Sequence, residues 1–491
     1  MNQVSSTNGA ARRGSRSVAV VGGGFGGVGA AVMLRRAGYD DVTVFERGER
    51  VGGVWNDNTY PGARCDVPSH LYEFSFAPNP YWSHRYADQP EIQQYMEDVA
   101  RRFGVADRIH TGTEVTRASW DGERWVVETS RGRHEADVLL TACGQLSTPS
   151  VPAIPGLDGF DGPTFHTARW RHEVELAGKR VAVVGTGCSA IQVVPAIQPR
   201  VAHVDVYQRS PGWTIPKLDF AYRERTKRLF ARYPRLQRLD RRANFAFHEY
   251  GALGLTRHPW MMKPVKAVSR MQINRAISDP ELRRKVTPTD EIGCKRIMLT
   301  DDWYPTLTKP NVDLVTERVE AVTAAGVIAG GAERPADVII FATGFHSHGF
   351  TAPMEVAGEG GRTLEDAWAG VPSAYLGLTV PDFPNLFLIY GPHTNGGTGS
   401  VIFTIECGMQ HVLDALAALD ETGARRIEVR ADAAAAFERE IKDALPRTVW
   451  HSGCRNWYVD ENGNDPNQWP YPFSSYRRRT AQLDRAAYSL T

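Results

Sequence analysis

Two stretches of this chain share one pattern of apolar and polar positions. Each begins with an apolar run that predicts a buried strand, at residues 18–21 and 181–184, and continues through a glycine-rich turn into a segment with helical periodicity. A second apolar run ends each stretch, at 42–45 and 204–208. The pattern predicts two strand-turn-helix-strand units.

The remaining periodicity predicts a mixed α/β chain. Short apolar runs indicate strands at 115–118, 125–129, 137–140, 312–315, 338–341 and 386–390. Between 221 and 285 the sequence is rich in arginine and aromatic residues, and its helical periodicity indicates a helical insertion. A further helix is expected from about 405 to 419. Prolines and glycines concentrated at 146–163 indicate a connection between domains.

Both glycine-rich turns have the spacing of dinucleotide-binding loops. The first, at 22–27, is Gly-Gly-Gly-Phe-Gly-Gly, and the second, at 185–190, is Gly-Thr-Gly-Cys-Ser-Ala. The first two spaced glycines let the backbone approach a pyrophosphate at the helix N-terminus, and the third permits close helix packing, which alanine tolerates. The residues assigned to the two pyrophosphate sites are Gly22, Gly24, Phe25 and Gly27, and Gly185, Thr186, Gly187, Ser189 and Ala190.

A charged residue follows each loop at the same interval. Glu46 lies 24 residues after Gly22, and Arg209 lies 24 residues after Gly185. A carboxylate at this place accepts hydrogen bonds from a ribose hydroxyl pair, whereas a guanidinium suits a ribose that carries a 2′-phosphate. We therefore predict FAD at the first loop and NADPH at the second.

The predicted architecture is an α/β fold of two Rossmann-like dinucleotide-binding domains with a helical insertion in the second. We expect residues 16–150 and 372–491 to form the FAD-binding domain and 151–371 the NADPH-binding domain, with the insertion at about 216–292. A chain of 491 residues is too long for one compact core. Residues 1–15 lack an apolar run and are expected to be a disordered tail rather than a signal peptide.

Composition narrows the possible classes of function. With 42% hydrophobic and 23% charged residues the chain is typical of a soluble protein, and its net charge of +1 gives no reason to expect nucleic acid or an acidic membrane surface as a partner. No apolar run approaches the ~18 residues of a membrane helix, so we expect a cytoplasmic protein without a membrane partner. Six scattered cysteines have neither Cys-x-x-Cys nor metal-ligand spacing. We expect reduced thiols, no bound metal and no redox-active disulfide.

Motifs outside the loops carry a resemblance to a known family. The spacing F-x-G-x-x-x-H-x-x-x-W runs from Phe160 to Trp170, and a G-G-x-W, Y-P-G-x-x-x-D pattern runs from Gly52 to Asp66. The chain thereby resembles the class B flavoprotein monooxygenases and, because of Trp170, the type I Baeyer-Villiger monooxygenases among them. Arg171 departs from the family, which usually has proline or aspartate after the tryptophan. The likeness continues at 208–211, 294–296, 342–345, 391–394 and 448–480, and so covers nearly the whole chain.

The resemblance implies an NADPH-dependent flavoprotein monooxygenase of the Baeyer-Villiger type. In this family NADPH reduces FAD, the reduced flavin captures O2 as a C4a-peroxyflavin, and the peroxide attacks a ketone carbonyl to give an ester or lactone. Arg296 matches the family's active-site arginine, and Asp66 matches the carboxylate that holds it beside the flavin. An arginine suits this role because it stays charged beside an anionic peroxide. These two residues are the catalytic candidates.

The resemblance also implies the remaining cofactor contacts. Lys295 and Arg209 are expected to share the 2′-phosphate of NADPH, with Ser210 nearby, and Trp457 matches the aromatic residue that closes over the cofactor. His166 is expected to act in cofactor movement at the domain junction rather than in proton transfer. The residues assigned to FAD besides the loop are Glu46, Arg47, Val54, Trp55, Arg64, Asp66, Tyr72 and Val115.

Two other functions remain open at this point. An N- or S-oxygenating flavin monooxygenase would use the same peroxide as an electrophile toward a soft heteroatom. A flavin-binding sensor without turnover would have no evident need for a cation at the peroxide position, so Arg296 and Asp66 favour an enzyme. The expected partners are a small-molecule ketone and O2.

Overall fold

The computed structural model describes residues 16–491, and the tail predicted at 1–15 lies outside the described residues. Two five-stranded sheets form the centre of the fold, and each contains the strand that leads into one nucleotide-binding loop. Four smaller sheets and a group of helices complete the described part.

The first large sheet carries the first loop. Its strands lie in the order Leu386–Leu388, Val138–Thr141, Val18–Val21, Val42–Phe45 and Ile109–His110, and all of its pairings are parallel. Successive side chains of a strand point to opposite faces, so Val18 and Val20 enter one hydrophobic cluster while Ala19 and Val21 enter another. Both faces of the strand are therefore buried, as is usual for a parallel sheet.

The second large sheet repeats this plan. Its strands lie in the order Val312–Val315, His203–Tyr207, Arg180–Val184, Val338–Phe341 and Thr164–His166, and all of its pairings are parallel. Val181 and Val183 face one cluster, and Ala182 faces another. The prediction of an α/β fold with two Rossmann-like units is confirmed, whereas the predicted domain boundaries remain predictions.

The smaller sheets cover the large ones or connect distant segments. One sheet consists of Glu355–Ala357, Val115–Trp120, Trp125–Thr129 and Gly132–Ala136, and another consists of Val319–Val322, Gly326–Ala329 and Ala332–Pro335. Two strand pairs join Thr214–Ile215 to Met298–Leu299 and Ile427–Val429 to Tyr488–Leu490. The α-helices outside the insertion are Phe25–Arg36, Val54–Asp57, Gln89–Arg102, Ala190–Ile197, Trp303–Leu307, Leu364–Trp368, Val401–Thr422, Ala431–Ala444 and Phe473–Thr480. Single 3-10 turns occur at Ala106–Arg108, Leu157–Gly159, Thr167–Arg169, Glu359–Gly361, Leu445–Arg447, Val449–His451 and Arg485–Ala487.

Helices occupy the segment where a helical insertion was predicted. They are Glu224–Arg232, Pro234–Thr256, the 3-10 turn Pro259–Met262, Lys263–Ala276 and Pro280–Val286. Four of these elements have proline in their first turn, where its missing N–H leaves no hydrogen bond unmade. The longest of them, Pro234–Thr256, reaches from the protein surface to the site described below.

Helix Val401–Thr422 requires a correction to the prediction that no apolar run approaches the length of a membrane helix. By length and composition alone this helix could do so. However, 61% of its most apolar window is buried inside the fold, and it packs against helix Phe25–Arg36 in the core of the first sheet. It is a core helix, and its polar positions had interrupted the apolar run in the sequence.

Candidate active site

The first nucleotide-binding loop is shaped by contacts that only glycine permits. Gly22 has φ +108°, and a Cβ atom there would lie 2.4 Å from the carbonyl oxygen of Ala142. A Cβ atom at Gly27 would lie 1.8 Å from the carbonyl oxygen of Gly22. Gly24 is the N-cap residue of the next helix, and no side chain caps that N-terminus within the described residues. The loop therefore offers backbone N–H groups that suit a pyrophosphate.

Glu46 lies beside this loop at the end of the neighbouring strand. Its carboxylate accepts hydrogen bonds from the backbone N–H of Gly23 at 2.6 Å and of Gly48 at 2.7 Å, and the residue is buried. Burial raises the pKa of Glu46, and the two backbone hydrogen bonds oppose that rise. Arg47 donates to the carbonyl oxygen of Ser147 at 3.2 Å. A carboxylate in this place can meet a ribose hydroxyl pair.

Aromatic residues predicted for the FAD site form one group. Trp55 Nε1 donates to Tyr72 Oη at 3.1 Å, and the ring of Tyr72 meets that of Phe25 edge to face at 5.3 Å. Val54 begins the short helix Val54–Asp57 that carries Trp55. The fold thus places these predicted residues together at the start of helix Phe25–Arg36.

Arg64 and Val115, which were also predicted for the FAD site, lie outside this aromatic group. Arg64 pairs with Asp219 at 2.6 Å, and the Val115 side chain is buried in a hydrophobic cluster beside the first sheet. Thr113 donates its backbone N–H to the carbonyl oxygen of Glu46 at 2.8 Å, so the segment before Val115 runs beside Glu46. An FAD contact from Val115 would therefore come from its backbone.

The second nucleotide-binding loop repeats the geometry of the first. Gly185 has φ +113°, and a Cβ atom there would lie 2.4 Å from the carbonyl oxygen of Ala342. Gly187 is exposed, and a Cβ atom there would meet no atom of the described residues within 4 Å. Ala190 is fully buried where helix Ala190–Ile197 packs on the sheet. Thr186 and Ser189 are partly exposed on the same loop, so all five predicted residues lie together.

Arg209 and Lys295 face one pocket of about 270 Å³. Lys295 Nζ donates to Ser210 Oγ at 3.0 Å and pairs with Asp290 at 2.6 Å. The full lining is Arg209, Ser210, Pro211, Thr289, Asp290, Lys295, Gly453, Cys454 and Arg455. Arg455 was not predicted, because it comes from a loop far along the chain. Three cationic side chains at one pocket suit a phosphate group.

Asp66 and Arg296 form an ion pair across 230 residues of sequence. Arg296 donates from Nε at 3.0 Å and from Nη2 at 2.7 Å to the same oxygen, Oδ2 of Asp66. Burial acts to raise the pKa of Asp66, but the charge and hydrogen bonds of Arg296 outweigh it and lower that pKa. The Asp66 charge in turn raises the pKa of Arg296. Both shifts favour the ionised forms, so the Asp66 carboxylate holds the Arg296 guanidinium in place.

His248 is a residue of this region that the sequence did not indicate. It lies on helix Pro234–Thr256, and its Nδ1 contacts Thr398 Oγ1 at 2.9 Å and accepts from the Gly399 backbone N–H at 3.2 Å. Burial lowers the pKa of His248 to about 4, against the opposing charge of Asp66. The ring is therefore neutral at neutral pH and carries its proton on Nε2. A lone histidine in a helix of arginines and aromatic residues gives no spacing signal.

The cysteine prediction is wrong for two of the six residues. Cys294 and Cys454 form a disulfide, with their Cα atoms 6.2 Å apart. They are 160 residues apart in sequence, so no short spacing could indicate the pair. The bond joins the segment of Lys295 to the loop that carries Trp457. The free cysteines are Cys65, Cys143, Cys188 and Cys407.

Trp457 lies at the surface of that loop. It is 36% exposed, and its ring centroid lies 4.2 Å from that of Tyr458. Its carbonyl oxygen accepts a hydrogen bond from Ser347 Oγ at 3.1 Å. The side chain is thus outside the hydrophobic core.

His166 is buried at the end of an edge strand of the second sheet. Its Nδ1 accepts a hydrogen bond from the Ala168 backbone N–H at 3.1 Å, and its ring meets Phe345 edge to face at 5.5 Å. Burial lowers the pKa of His166 to about 4. These contacts fix the ring at the end of its strand, and a role of His166 in cofactor movement remains a prediction. Arg171, the departure from the family motif, pairs with Glu173 at the surface.

One group within the described residues has the composition of a metal site. It consists of His203, Asp205 and Asp313. Arg334 pairs with Asp205 at 2.8 Å and with Asp313 at 3.2 Å. Because a guanidinium already compensates both carboxylates, we interpret the group as an ion-pair network.

Comparison with known proteins agrees with this geometry. Residues 19–240 match the family model described as pyridine nucleotide-disulphide oxidoreductase. A Baeyer-Villiger monooxygenase of Streptomyces coelicolor is 43% identical over 478 residues, which cover 96% of this chain and 92% of that protein. The structure of an oxidized steroid monooxygenase bound to NADP superposes with a TM-score of 0.86 at 33% identity, covering 97% of this chain and 99% of the other. OTEMO in complex with FAD and NADP superposes with a TM-score of 0.87 at 27% identity and the same coverage.

Proposed function

This chain belongs to the family of the Baeyer-Villiger monooxygenases, and we propose that it inserts one oxygen atom of O2 next to a ketone carbonyl to form an ester or lactone. It is an NADPH-dependent flavoprotein monooxygenase that acts on a small molecule. When bound, FAD supplies the activation of O2 and NADPH supplies the hydride. The observation that carries the proposal is the ion pair of Asp66 and Arg296.

The first loop fits FAD. The space beside Gly22 and Gly27, which a Cβ atom would fill, gives the backbone close access to a pyrophosphate. Glu46 would hold the ribose hydroxyls, and Phe25 and Gly24 lie at the helix N-terminus. We propose that Arg47, Val54, Trp55 and Tyr72 line the same site, that Arg64 supports it through Asp219, and that Val115 contributes its backbone.

The second loop and its pocket fit NADPH. We propose that Thr186, Gly187 and Ser189 lie along the pyrophosphate, with Gly185 and Ala190 shaping the loop. The 2′-phosphate would meet the pocket of Arg209, Ser210 and Lys295, and Arg455 would add a third cation there. Trp457 would cover the cofactor from the loop that the disulfide anchors.

Arg296 is proposed as the catalytic cation. Its guanidinium would stabilise negative charge that develops on oxygen during the transfer, because a preorganised donor is most effective in a partly buried site. Asp66 orients it through two hydrogen bonds to one oxygen, which leaves the Nη1 group free of that carboxylate. His248, neutral and with its proton on Nε2, is a further candidate donor toward the substrate.

We also propose that the enzyme works in the cytoplasm, which supplies the NADPH that it consumes. The disulfide removes the argument that reduced cysteines had given for this location. Cell fractionation with activity measured in the culture medium and in the cell interior would test it.

A substrate panel tests the function. Ketones and sulfides are supplied with NADPH and O2, and the products are identified by mass spectrometry. We expect esters or lactones, with one O2 consumed for each NADPH oxidised in productive turnover. Products from sulfides alone would instead support the N- or S-oxygenating alternative, and NADPH oxidation without any oxygenated product would contradict both.

A further inference from the structure

The charge of this chain is distributed very unevenly. Residues 223–286, the helical insertion, contain 17 of the 57 Lys and Arg residues but only five of the 56 Asp and Glu residues. The insertion thus has a net charge of +12, and the rest of the chain has −11, which together give the overall +1. The net charge had suggested no acidic partner, but it concealed one strongly basic region.

The same region carries most of the exposed apolar side chains. Nine of the fifteen large hydrophobic residues that are exposed in the described part of the chain lie between residues 223 and 286. They include Leu239 at 62%, Phe247 at 67% and Trp260 at 65% exposure. Isolated exposed apolar residues are ordinary, whereas a concentration of this kind marks an interaction surface.

Helix Pro234–Thr256 has one side that is held against the rest of the protein and another side that carries several of these exposed residues. Gln237 and Arg241 hydrogen-bond residues of the segment 70–79, and His248 reaches Thr398. At 3.6 residues per turn, these three positions fall within roughly 40° of one another around the helix. This side of the helix is therefore fixed against the rest of the protein.

The opposite side has two adjacent stripes, which we call the exposed insertion face. At about 100° per residue, Leu236, Leu239, Phe247 and Tyr250 fall within an arc of roughly 80°. Beside this apolar stripe, a second stripe consists of Arg235, Arg238 and Arg242, all exposed. Among the described residues, none of the carboxylates lies within ion-pair distance of these three arginines.

We propose that the exposed insertion face docks on a membrane surface of anionic lipids. An interfacial helix of this type lies in the plane of the membrane, with leucine and aromatic side chains among the acyl chains and arginines at the phosphate groups. Trp260 follows the C-terminus of the helix, where an aromatic ring suits the lipid headgroup region. Docking of this kind replaces the expectation that the protein has no membrane partner, and the protein remains peripheral.

Charge argues for lipid rather than for a second copy of this chain. In a two-fold symmetric dimer the same patch meets itself, so two insertions of net charge +12 would face each other. The arginine stripe would then be opposed by arginines. An anionic lipid surface compensates both the charge and the apolar stripe.

Vesicle flotation with the FAD-loaded enzyme tests the proposal. The protein is mixed with vesicles of phosphatidylglycerol or, in parallel, of phosphatidylcholine, and the floated fraction is measured at low and at raised salt. We expect binding to phosphatidylglycerol, weaker binding at raised salt and little binding to phosphatidylcholine.

Two variants of the exposed insertion face locate the contact. Arg238→Gln with Arg242→Gln should weaken the partition by about fivefold for each arginine, since one basic residue near such a surface is worth about 1 kcal/mol. Leu239→Ser with Phe247→Ser should weaken it by about tenfold or more. Tyr81→Ser and Arg425→Gln change exposed residues outside the insertion and should leave the partition unchanged. Flavin absorbance and thermal stability check that every variant is folded.

Three outcomes would overturn the proposal. One is equal binding to both kinds of vesicle, or binding to neither. Another is undiminished flotation of both face variants. The third is a dimer in sedimentation that Leu239→Ser with Phe247→Ser dissociates while no vesicle binds, which would assign the face to self-association.

Discussion

The two nucleotide-binding loops have the same backbone geometry. In each, the first glycine has a positive φ, and a Cβ atom would lie 2.4 Å from a carbonyl oxygen. That oxygen belongs to Ala142 for Gly22 and to Ala342 for Gly185, and in both cases the alanine directly follows the neighbouring strand. The common geometry shows that each loop is built to bring backbone close to a ligand.

The charged residues of the two loops are placed differently. Glu46 is 8% exposed and is hydrogen-bonded to the backbone of its own loop, whereas Arg209 is exposed at a pocket that Lys295 and Arg455 share. A buried and bonded carboxylate suits a cofactor that stays bound. An exposed guanidinium suits one that arrives and leaves in every catalytic cycle. We infer that the second site favours exchange of its ligand.

The largest effect on product formation should come from Arg296, which pairs with Asp66. Arg296→Ala should lower product formation by about 100- to 1000-fold, because a preorganised charge at developing oxyanions is worth that much. Flavin reduction by NADPH should change far less, since neither loop is altered. Stopped-flow absorbance measures reduction, and product analysis measures oxygen transfer.

Arg200→Ala is the control for this change, because Arg200 is an exposed arginine in the same predicted domain. It should leave both rates unchanged. Normal product yield from Arg296→Ala would show that another residue provides the cation.

Matched glycine variants should show that each loop binds a different cofactor. Gly22→Ala should reduce bound flavin and Gly185→Ala should weaken NADP binding while the protein stays yellow, each by about 5- to 150-fold, because such strain costs about 1–3 kcal/mol. Flavin absorbance and titration with NADP measure the two effects. A Cβ atom at position 187 would lie in open space, so Gly187→Ala should weaken NADP binding only slightly. Loss of both cofactors from either variant would contradict independent sites.

The phosphate pocket should show a smaller and selective effect. Arg209→Ala should raise the KM for NADPH about tenfold with little change for NADH, because a hydrogen bond to a charged group is worth about 1.5–3 kcal/mol. Arg455→Ala should act in the same direction more weakly, since Arg455 comes from a loop at the pocket rim. Steady-state kinetics with both cofactors provide the measurement. Equal changes for NADPH and NADH would remove the phosphate role.

The smallest effect on activity is expected at the contact between Glu73 and Gln237 of the insertion, where a substitution should change the pH dependence of stability. Burial raises the pKa of Glu73 from 4.5 to about 8, although Asn79, Trp82 and Gln237 donate hydrogen bonds to it. A raised folded-state pKa means that its contribution to stability is complete below pH 4.5 and is lost as the pH rises through about 8. Glu73→Gln should therefore become more stable relative to wild type as the pH rises over this range.

Urea unfolding at several pH values measures this difference in the free energy of unfolding. Glu355→Gln, at an exposed ion pair with Arg117, is the control and should show no such trend. A Glu73→Gln difference that does not depend on pH would show that the carboxylate is ionised throughout.

Regular structure was predicted well wherever the signal was local. Strands Trp125–Thr129, Val312–Val315 and Val338–Phe341 have the predicted bounds, because each is an apolar run between turn residues. Helix Phe25–Arg36 already includes Gly26 and Gly27 of the loop, whereas the sequence pattern predicts the helix only after the glycine-rich turn. Helix Val401–Thr422 extends beyond its predicted ends, and Ile402 and Thr404 near its N-terminus are buried by tertiary contacts that the sequence pattern does not show.

The residues of the candidate site also fall into those with a local sequence signal and those without one. Glycine spacing and the charges of Glu46 and Arg209 were visible in the sequence, because each lies within one strand-turn-helix-strand unit. The resemblance to a family supplied Asp66 and Arg296 as candidates, but their ion pair spans 230 residues. No local pattern could have placed them in contact.

The two loops, their opposite charges and most of the strands and helices could be predicted from the sequence, since these depend on neighbouring residues. Packing brings Cys294 to Cys454, places Arg455 at the pocket of Arg209 and Lys295, and puts His248 within electrostatic range of Asp66 and Arg296. Packing also sets which side of helix Pro234–Thr256 is exposed. These contacts join segments that are far apart in the chain, so no run of neighbouring residues encodes them.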